Sequence, residues 1–314
     1  MPLSEKSFTV EPGSPEASQR ADRVVQTMCG LSRAQVAGLF DRGCVRLNDS
    51  VCTQTFERVK AGDRIVLKYD PQQRYRAENK PRNNLGFEIV FEDKHLIVVI
   101  KPADMLTVPT MHGEENTLVN FVSTYIKHRG GRKAFTAHRL DRGVSGLLVL
   151  GKSQEVSDKL RDQFAERKPE REYVGIVAGT VKNQKGTFKS LLATDKDLNR
   201  FSTKNAEIGQ VAITHYRIVQ RLDDATLVAV WLETGRRNQI RVHFSEAGHP
   251  VLGDPRYRAE QAIHPRWPWQ RIALHARLLG FTHPINGQPL RFETPLPHEM
   301  EKFLAGSPQY RAAP

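Results

Sequence analysis

His138-Arg139-Leu140-Asp141-Arg142-Gly143-Val144-Ser145-Gly146 leads directly into the apolar run Leu147 to Leu150. The run is short, continuous and bounded by Gly146 and Gly151, which predicts a buried strand. The segment before it is polar and basic, so Asp141 falls at a loop-to-strand junction. An imidazole, a guanidinium and a carboxylate stand within four residues. Gly143 and Gly146 let the backbone turn tightly or approach a ligand closely. Taken alone, the spacing also describes a simple turn with an Arg–Asp pair at its mouth.

Working outward, the flanking segments predict more strands. Phe87, Ile89 and Phe91 alternate, Glu92-Asp93-Lys94-His95 makes a turn, and Leu96 to Ile100 reads as a second buried strand. Lys101-Pro102 stops it. Asn116 or Thr117 caps a helix containing Leu118, Phe121, Val122 and Tyr125, and Ser153 caps another with Val156, Leu160 and Phe164 at four-residue spacing. Arg171 to Val177 and Thr226 to Glu233 read as strands, and His283 to Pro289 as a hairpin turn. Many strands, few helices and no βαβ alternation predict an α+β fold with a large mixed or antiparallel sheet. No GxGxxG or GKS/T motif implies a nucleotide cofactor, and the histidines form no compact ligand set, so neither cofactor nor catalytic metal is expected.

The 314 residues suffice for about two domains. A net charge of +12 predicts a polyanionic partner, nucleic acid first. No apolar stretch of about 18 residues suggests a membrane partner. Residues 1–20, rich in Ser, Pro and Glu, read as a disordered tail and not as a signal peptide. Cys29, Cys44 and Cys52 are odd in number and lack CxxC spacing, which fits core-filling thiols in a reducing cytoplasm. Residues 21–70 carry two helical patterns, with Ser32 as an N-cap and Gly43 as a stop, and two short strands at Cys44 to Leu47 and Arg64 to Leu67. Residues 71–85 read as an exposed linker whose Arg74, Arg76, Lys80 and Arg82 suit a phosphate backbone. Residues 86–305 form the second domain, and 306–314 a tail.

Two resemblances sharpen this. Leu31-Ser32-Arg33-Ala34-Gln35-Val36, Gly43 to Asn48 and Val59-Lys60-Ala61-Gly62-Asp63 resemble the small S-four-like RNA-binding domain of a small-subunit ribosomal protein. The likeness implies a small α/β RNA-binding domain, with Arg33, Arg42 and Arg46 as phosphate contacts. The central stretch resembles the signature of the RluA-type RNA pseudouridine synthases. Arg171-Glu172-Tyr173-Val174 and Glu233-Thr234-Gly235-Arg236-Arg237-Asn238-Gln239-Ile240-Arg241-Val242-His243 agree with the same family in order and spacing. So do Glu92 to Leu96, Lys101-Pro102, Gly248 to Asp254 and Leu274-His275-Ala276. Departures are Val144 where the family usually has Thr, Asn238 where it has His, and Ile100 where Asn is common.

The resemblance implies a pseudouridine synthase-like catalytic domain that isomerises uridine in structured RNA without a cofactor. Large-subunit ribosomal RNA is the first expected substrate and transfer RNA the second. Asp141 is the implied catalytic carboxylate, as nucleophile or base, and Arg241 its ion-pair partner. An ordinary aspartate is already ionised at neutral pH. Tyr173 would stack on the uracil and help remove a proton from the base's rejoined carbon. A uridine inside a helix must be extruded, and Arg139 suits the gap because guanidinium stacks on bases. His138 reads as a loop-orienting residue at the RNA surface. Arg236 and Arg237 suit phosphates, and Asn238 and Gln239 suit backbone or base edges. The chain is expected to be a cytoplasmic monomer. The competing reading is a non-catalytic RNA-binding protein on the same fold.

Overall fold

A computed structural model of the chain describes residues 4–52, 57–71, 73, 75, 85–111 and 113–307. It divides into two compact units, Met1–Asn83 and Asn84–Pro314.

The first unit runs β1 (Ser4–Thr9), α1 (Ala21–Cys29), α2 (Arg33–Asp41), β2 (Val45–Leu47), β3 (Ser50–Val51) and β4 (Arg64–Tyr69), with an antiparallel sheet in the order β1-β4-β2-β3. Ser32 caps α2 as its sequence suggests. Its hydroxyl accepts from the Gln35 N–H, and the Gln35 side chain accepts from the Ser32 N–H at 3.1 Å, a reciprocal box that satisfies two otherwise orphan donors. Val24 and Val25 of α1, Val36, Leu39 and Phe40 of α2, and Ile65 and Leu67 of β4 make one buried cluster.

Two expectations fail here. Residues 4–20 are not a free tail. β1 pairs with β4 along its whole length, from Ser4 opposite Tyr69 to Thr9 opposite Arg64, and Val10 is fully buried. The strand is held by backbone bonds and carries only Phe8 as an apolar side chain, so composition hides it. The expected linker also starts too early. Tyr75 is buried, stands edge-on to Tyr69 at 6.1 Å, and its hydroxyl accepts from the Asp70 N–H at 2.7 Å. Arg74, Arg76, Lys80 and Arg82 lie outside the described residues.

The second unit opens with β5 (Glu88–Glu92), β6 (Leu96–Lys101), α3 (Leu118–His128), β7 (Phe135–Thr136), β8 (Ser145–Gly151) and α4 (Gln154–Ala165). It continues with β9 (Glu170–Ala178), β10 (Lys185–Thr194), β11 (Arg200–Thr203), β12 (Gln210–Arg221), β13 (Ala225–Leu232) and α5 (Gln239–Glu246). It closes with β14 (Leu274–Thr282), β15 (Pro289–Glu293) and α6 (His298–Ala305). One sheet runs β11-β10-β12-β13-β9-β14-β8-β6-β5, with β7 on β8 and β15 on β14. The pairs are antiparallel except β14 with β8. This is the mixed sheet with few helices that the strand count predicts. β14 lies between the half built from β5, β6 and β8 and the half built from β9 to β13. Gly146 permits the close approach of β8 to β14. Its φ is +123°, and a Cβ there would stand 2.3 Å from the Ala276 carbonyl oxygen.

Thr117 stands at the N-cap of α3 but makes no capping bond, and its hydroxyl is buried without a partner. Ser153 caps α4, accepting from the Val156 N–H at 3.3 Å. Among the described residues, no helix is long and apolar enough to cross a bilayer.

Candidate active site

The loop before β8 is fixed from three sides. The Thr107 hydroxyl donates to the Leu140 carbonyl at 2.8 Å, and the Leu140 N–H points back to the same hydroxyl oxygen at 3.1 Å. The Ile272 N–H donates to the Gly143 carbonyl at 3.1 Å, an approach so close that a Cβ on Gly143 would sit 2.8 Å from the Ile272 side chain. From below, the Lys101 ammonium donates to the carbonyls of Pro102 (2.7 Å), Met105 (2.8 Å) and Arg142 (3.3 Å). Lys101 has no exposed surface. Burial pushes its pKa down to about 7, and the nearby Asp141 charge works against that shift.

Asp141 is thereby held with its side chain one-fifth exposed, facing the first turn of α5. Arg241 reaches it through Nη1 at 3.0 Å. The other edge of the Arg241 guanidinium is gripped by Asp254, with Nε at 2.7 Å and Nη2 at 2.8 Å. The Asp254 side chain is fully buried, and its Oδ1 also accepts the backbone N–H groups of Arg256 and Tyr257. Burial alone would weaken the Arg241 charge. The bonds to Asp254 and Asp141 outweigh it and hold its pKa above the ordinary range. Arg241 is therefore a permanent cation shared by two carboxylates, one buried and one open to solvent.

Tyr173 projects from β9, 8% exposed. Burial raises the pKa of its phenol, the Asp141 charge adds to that, and the nearby Arg171 opposes it. The hydroxyl is protonated at neutral pH. Asp141 and Arg241, expected together from widely separated segments, are thus in contact, and Tyr173 lies near enough for the Asp141 charge to act on its phenol.

Asn238 joins them. It adopts the left-handed conformation at φ +56°, which asparagine tolerates better than most residues. Its amide donates to the Tyr257 hydroxyl at 2.9 Å, and its oxygen accepts from Arg241 Nη1 at 3.2 Å. Val144 is buried in the core, where its methyl groups pack. Ile100 is partly buried against the β8 and α4 cluster.

The remaining expected contacts divide. Arg139 is exposed, and among the described residues no hydrogen bond or ion pair holds its guanidinium. Arg236 is exposed, with Nε donating to the Val211 carbonyl at 3.2 Å. Gln239 is not available to RNA. It is 2% exposed, its oxygen accepts from Thr234 and the Arg236 N–H, and its amide donates to Ile213 and Thr214. His138 also faces inward, stacked on Phe164 with ring centroids 4.3 Å apart, and its Nε2 accepts from the Val149 N–H at 3.1 Å. In the first unit, Arg42 is exposed, with its guanidinium 5.9 Å over the Tyr75 ring. Arg46 is exposed and donates to the Asp49 carbonyl. Arg33 opens α2, and its side chain lies outside the described part.

Burial, reinforced by Arg171, pushes His138 down to about 3, and burial with Arg271 does the same to His275. Both folded values lie below the unfolded value of about 6.5. The unfolded chain therefore binds more protons between pH 3 and 6.5. The stability these histidines contribute is complete above pH 6.5 and is lost as the pH falls toward 3. Proton NMR should show neither ring titrating between pH 5 and 8, and a midpoint near 6.5 for either would refute its buried neutral role.

Sequence reasoning missed Asp254 and Lys101 as site residues. Asp254 sits in a segment that stands out only by its likeness to the family, and a lone aspartate after Leu252-Gly253 carries no signal of its partner. Lys101 reads as a strand stop, and nothing local shows that the strand end is buried.

The sequence profile of RNA pseudouridylate synthases matches residues 95–246. A ribosomal large subunit pseudouridine synthase D of Zymomonas mobilis is 35% identical over 90% of this chain and 92% of its own length. Its namesake from Haemophilus influenzae is 31% identical over 97% and 95%. Among solved structures, human RNA pseudouridylate synthase domain containing 4 superposes with a TM-score of 0.59 at 21% identity, covering 69% of this chain and 92% of that one.

Proposed function

The chain belongs to the RNA pseudouridylate synthase family, and from that premise we propose that it isomerises uridines of large-subunit ribosomal RNA, with Asp141 as the catalytic carboxylate. The reaction breaks the bond from the sugar's C1′ to N1 of uracil and makes one from C1′ to C5. A proton leaves C5 and one is gained at N1, so the balance needs no redox partner. The observation that carries the assignment is the ion pair of Asp141 with Arg241, itself locked by buried Asp254.

Arg241 holds the carboxylate by one oxygen and leaves the other for the substrate. Tyr173 offers a ring for the base to lie on, and its protonated hydroxyl stands within the field of Asp141. Arg139, free beside the loop, enters the duplex as the uridine leaves it. The ribosomal target is the one in the names of the Zymomonas and Haemophilus relatives. The first unit, with Arg42 and Arg46 on its surface, anchors the RNA. The reading takes the protein to act as a monomer in the cytoplasm.

The test is to map pseudouridine in transcripts of large-subunit ribosomal RNA and in transfer RNA after incubation with the purified protein. Conversion at defined uridines of the ribosomal transcript is expected. Conversion in transfer RNA alone would overturn the ribosomal target, and conversion in neither would overturn the proposal.

The role of Arg139 has its own test. Unstacking a base costs a few kcal/mol in a duplex and little in a loose strand. Arg139→Ala should therefore slow single-turnover conversion strongly on a stem-loop and weakly on a flexible strand of the same sequence. Equal losses on both would make Arg139 a scaffold for the loop.

A further inference from the structure

Two arginines converge on a single neutral oxygen beside the site. Arg256 donates through Nη1 to the Leu198 carbonyl at 3.2 Å, and Arg237 donates to the same oxygen through Nη2. Leu198 forms the tip of the hairpin between β10 and β11. Its φ is +62° and its side chain is 52% exposed. The hairpin is closed from within by Asp195, whose carboxylate accepts from the backbone N–H groups of Asp197 and Asn199 and from the Asn199 amide.

The surroundings are strongly cationic. Arg200 begins β11, and its Nε is buried without a hydrogen-bond partner. Burial, with Arg237 and Arg236, lowers its pKa. Arg258, exposed and in the left-handed conformation at φ +49°, lines an adjoining hollow of about 410 Å³ together with Arg256 and Glu260. Three carboxylates are near: Glu260 on that hollow, Asp197 beside Leu198 in the hairpin, and Asp195, on which the Arg256 charge acts. Among the described residues, none of the three forms an ion pair with Arg237 or Arg256. One carbonyl dipole does not balance two guanidinium charges. A phosphate does, because its oxygens match the planar donor fork in both charge and geometry.

The position is tied to the chemistry by short links. Arg237 precedes Asn238 and Arg256 precedes Tyr257, and these two neighbours are bonded to each other at 2.9 Å. Asn238 also bonds Arg241, and the Arg241 guanidinium lies 5.0 Å over the Tyr257 ring.

We propose that Arg237 and Arg256 clamp one backbone phosphate of the RNA near the extruded uridine, and that the Leu198 carbonyl is a placeholder which this phosphate displaces. The inference rests on the RNA-modifying function proposed above. Docking of the RNA then frees the hairpin tip instead of ordering it.

The test uses the full chain, with Arg237→Gln, Arg256→Gln and the double variant, acting on the large-subunit ribosomal transcript. Removal of one phosphate interaction should flatten the log–log salt dependence of kcat/KM by roughly 0.7–0.9. The double variant should flatten it by about one such step and not two, because both arginines hold the same group. Arg237→Lys with Arg256→Lys should restore the slope, since charge is kept, while affinity stays reduced because the bidentate fork is gone. Amide exchange at residues 197–199 of the wild type should accelerate when RNA binds. An unchanged slope, a flattening by two steps, or slower exchange at the hairpin would each overturn the clamp. A wild type that converts no uridine would overturn the ribosomal reading instead, and exchange at 197–199 on RNA binding would still decide the clamp.

Discussion

Asp141→Asn will leave a folded chain that binds RNA within a few-fold of wild type and converts no uridine above background, a loss of at least about 10³-fold in single-turnover rate. The fold survives because the substitution is nearly isosteric and the loop is held by other groups. Thr107, Lys101 and Ile272 all bond its backbone and do not touch the Asp141 carboxylate. Arg241 is not orphaned either. Asp254 still takes two of its donors, and the amide oxygen introduced at position 141 accepts the third. What disappears is the negative charge, which both a nucleophile and a base require. Rates from mapped pseudouridine and affinities from filter binding check the two halves. Turnover within about tenfold of wild type would place the chemistry elsewhere.

Asp254→Ala should do the reverse, costing stability first and activity as a result. The change strips the buried side of Arg241 of both its bonds and leaves the backbone N–H groups of Arg256 and Tyr257 without their acceptor. Removing one partner of a buried pair costs about 3–5 kcal/mol, and the lower figure is expected here because Asp141 still holds one donor of Arg241. For a domain of this size that is a fall of roughly 10 °C in the melting midpoint. Arg241 is then free to turn wholly toward Asp141 and occupy the oxygen the substrate needs. Asp254→Asn, which keeps an acceptor, should fall between. A melting midpoint unchanged in Asp254→Ala would show that Arg241 is held by Asp141 alone.

The two carboxylates differ in how visible they are in the sequence. Asp141 stands out because its neighbours are specific in type and spacing and because a buried strand follows at once. Asp254 has the greater burial and the stronger grip on Arg241, yet its partner lies 13 residues away on a helix whose orientation only the packed sheet sets. The misreadings have related causes. Gln239 has a polar side chain in a basic segment, and only the folded partners, the hydroxyls of Thr214 and Thr234 and the backbone of Ile213 and Arg236, show that it is spent internally. β1 has almost no apolar pattern, because its stability comes from the ladder with β4. Ser32 and Ser153, by contrast, act on residues three positions away, and local interactions of that kind are legible without the fold.

β14 also sets when the enzyme can come into being. It is the strand that unites the two halves of the sheet, and it follows both of them in the chain. A nascent chain that has emerged only as far as α5 already contains Asp141, Tyr173 and Arg241, yet β8 and β9 each still present an open edge. His275 must pair beside Ser145, a separation of 130 residues, before the two halves share one sheet. Contacts of that span are slow to form, and unpaired edges invite association between chains. Assembly therefore waits until β14 has been made. A chain cut short before residue 274 would carry the groups proposed for the chemistry and lack the strand that joins the two halves of the sheet.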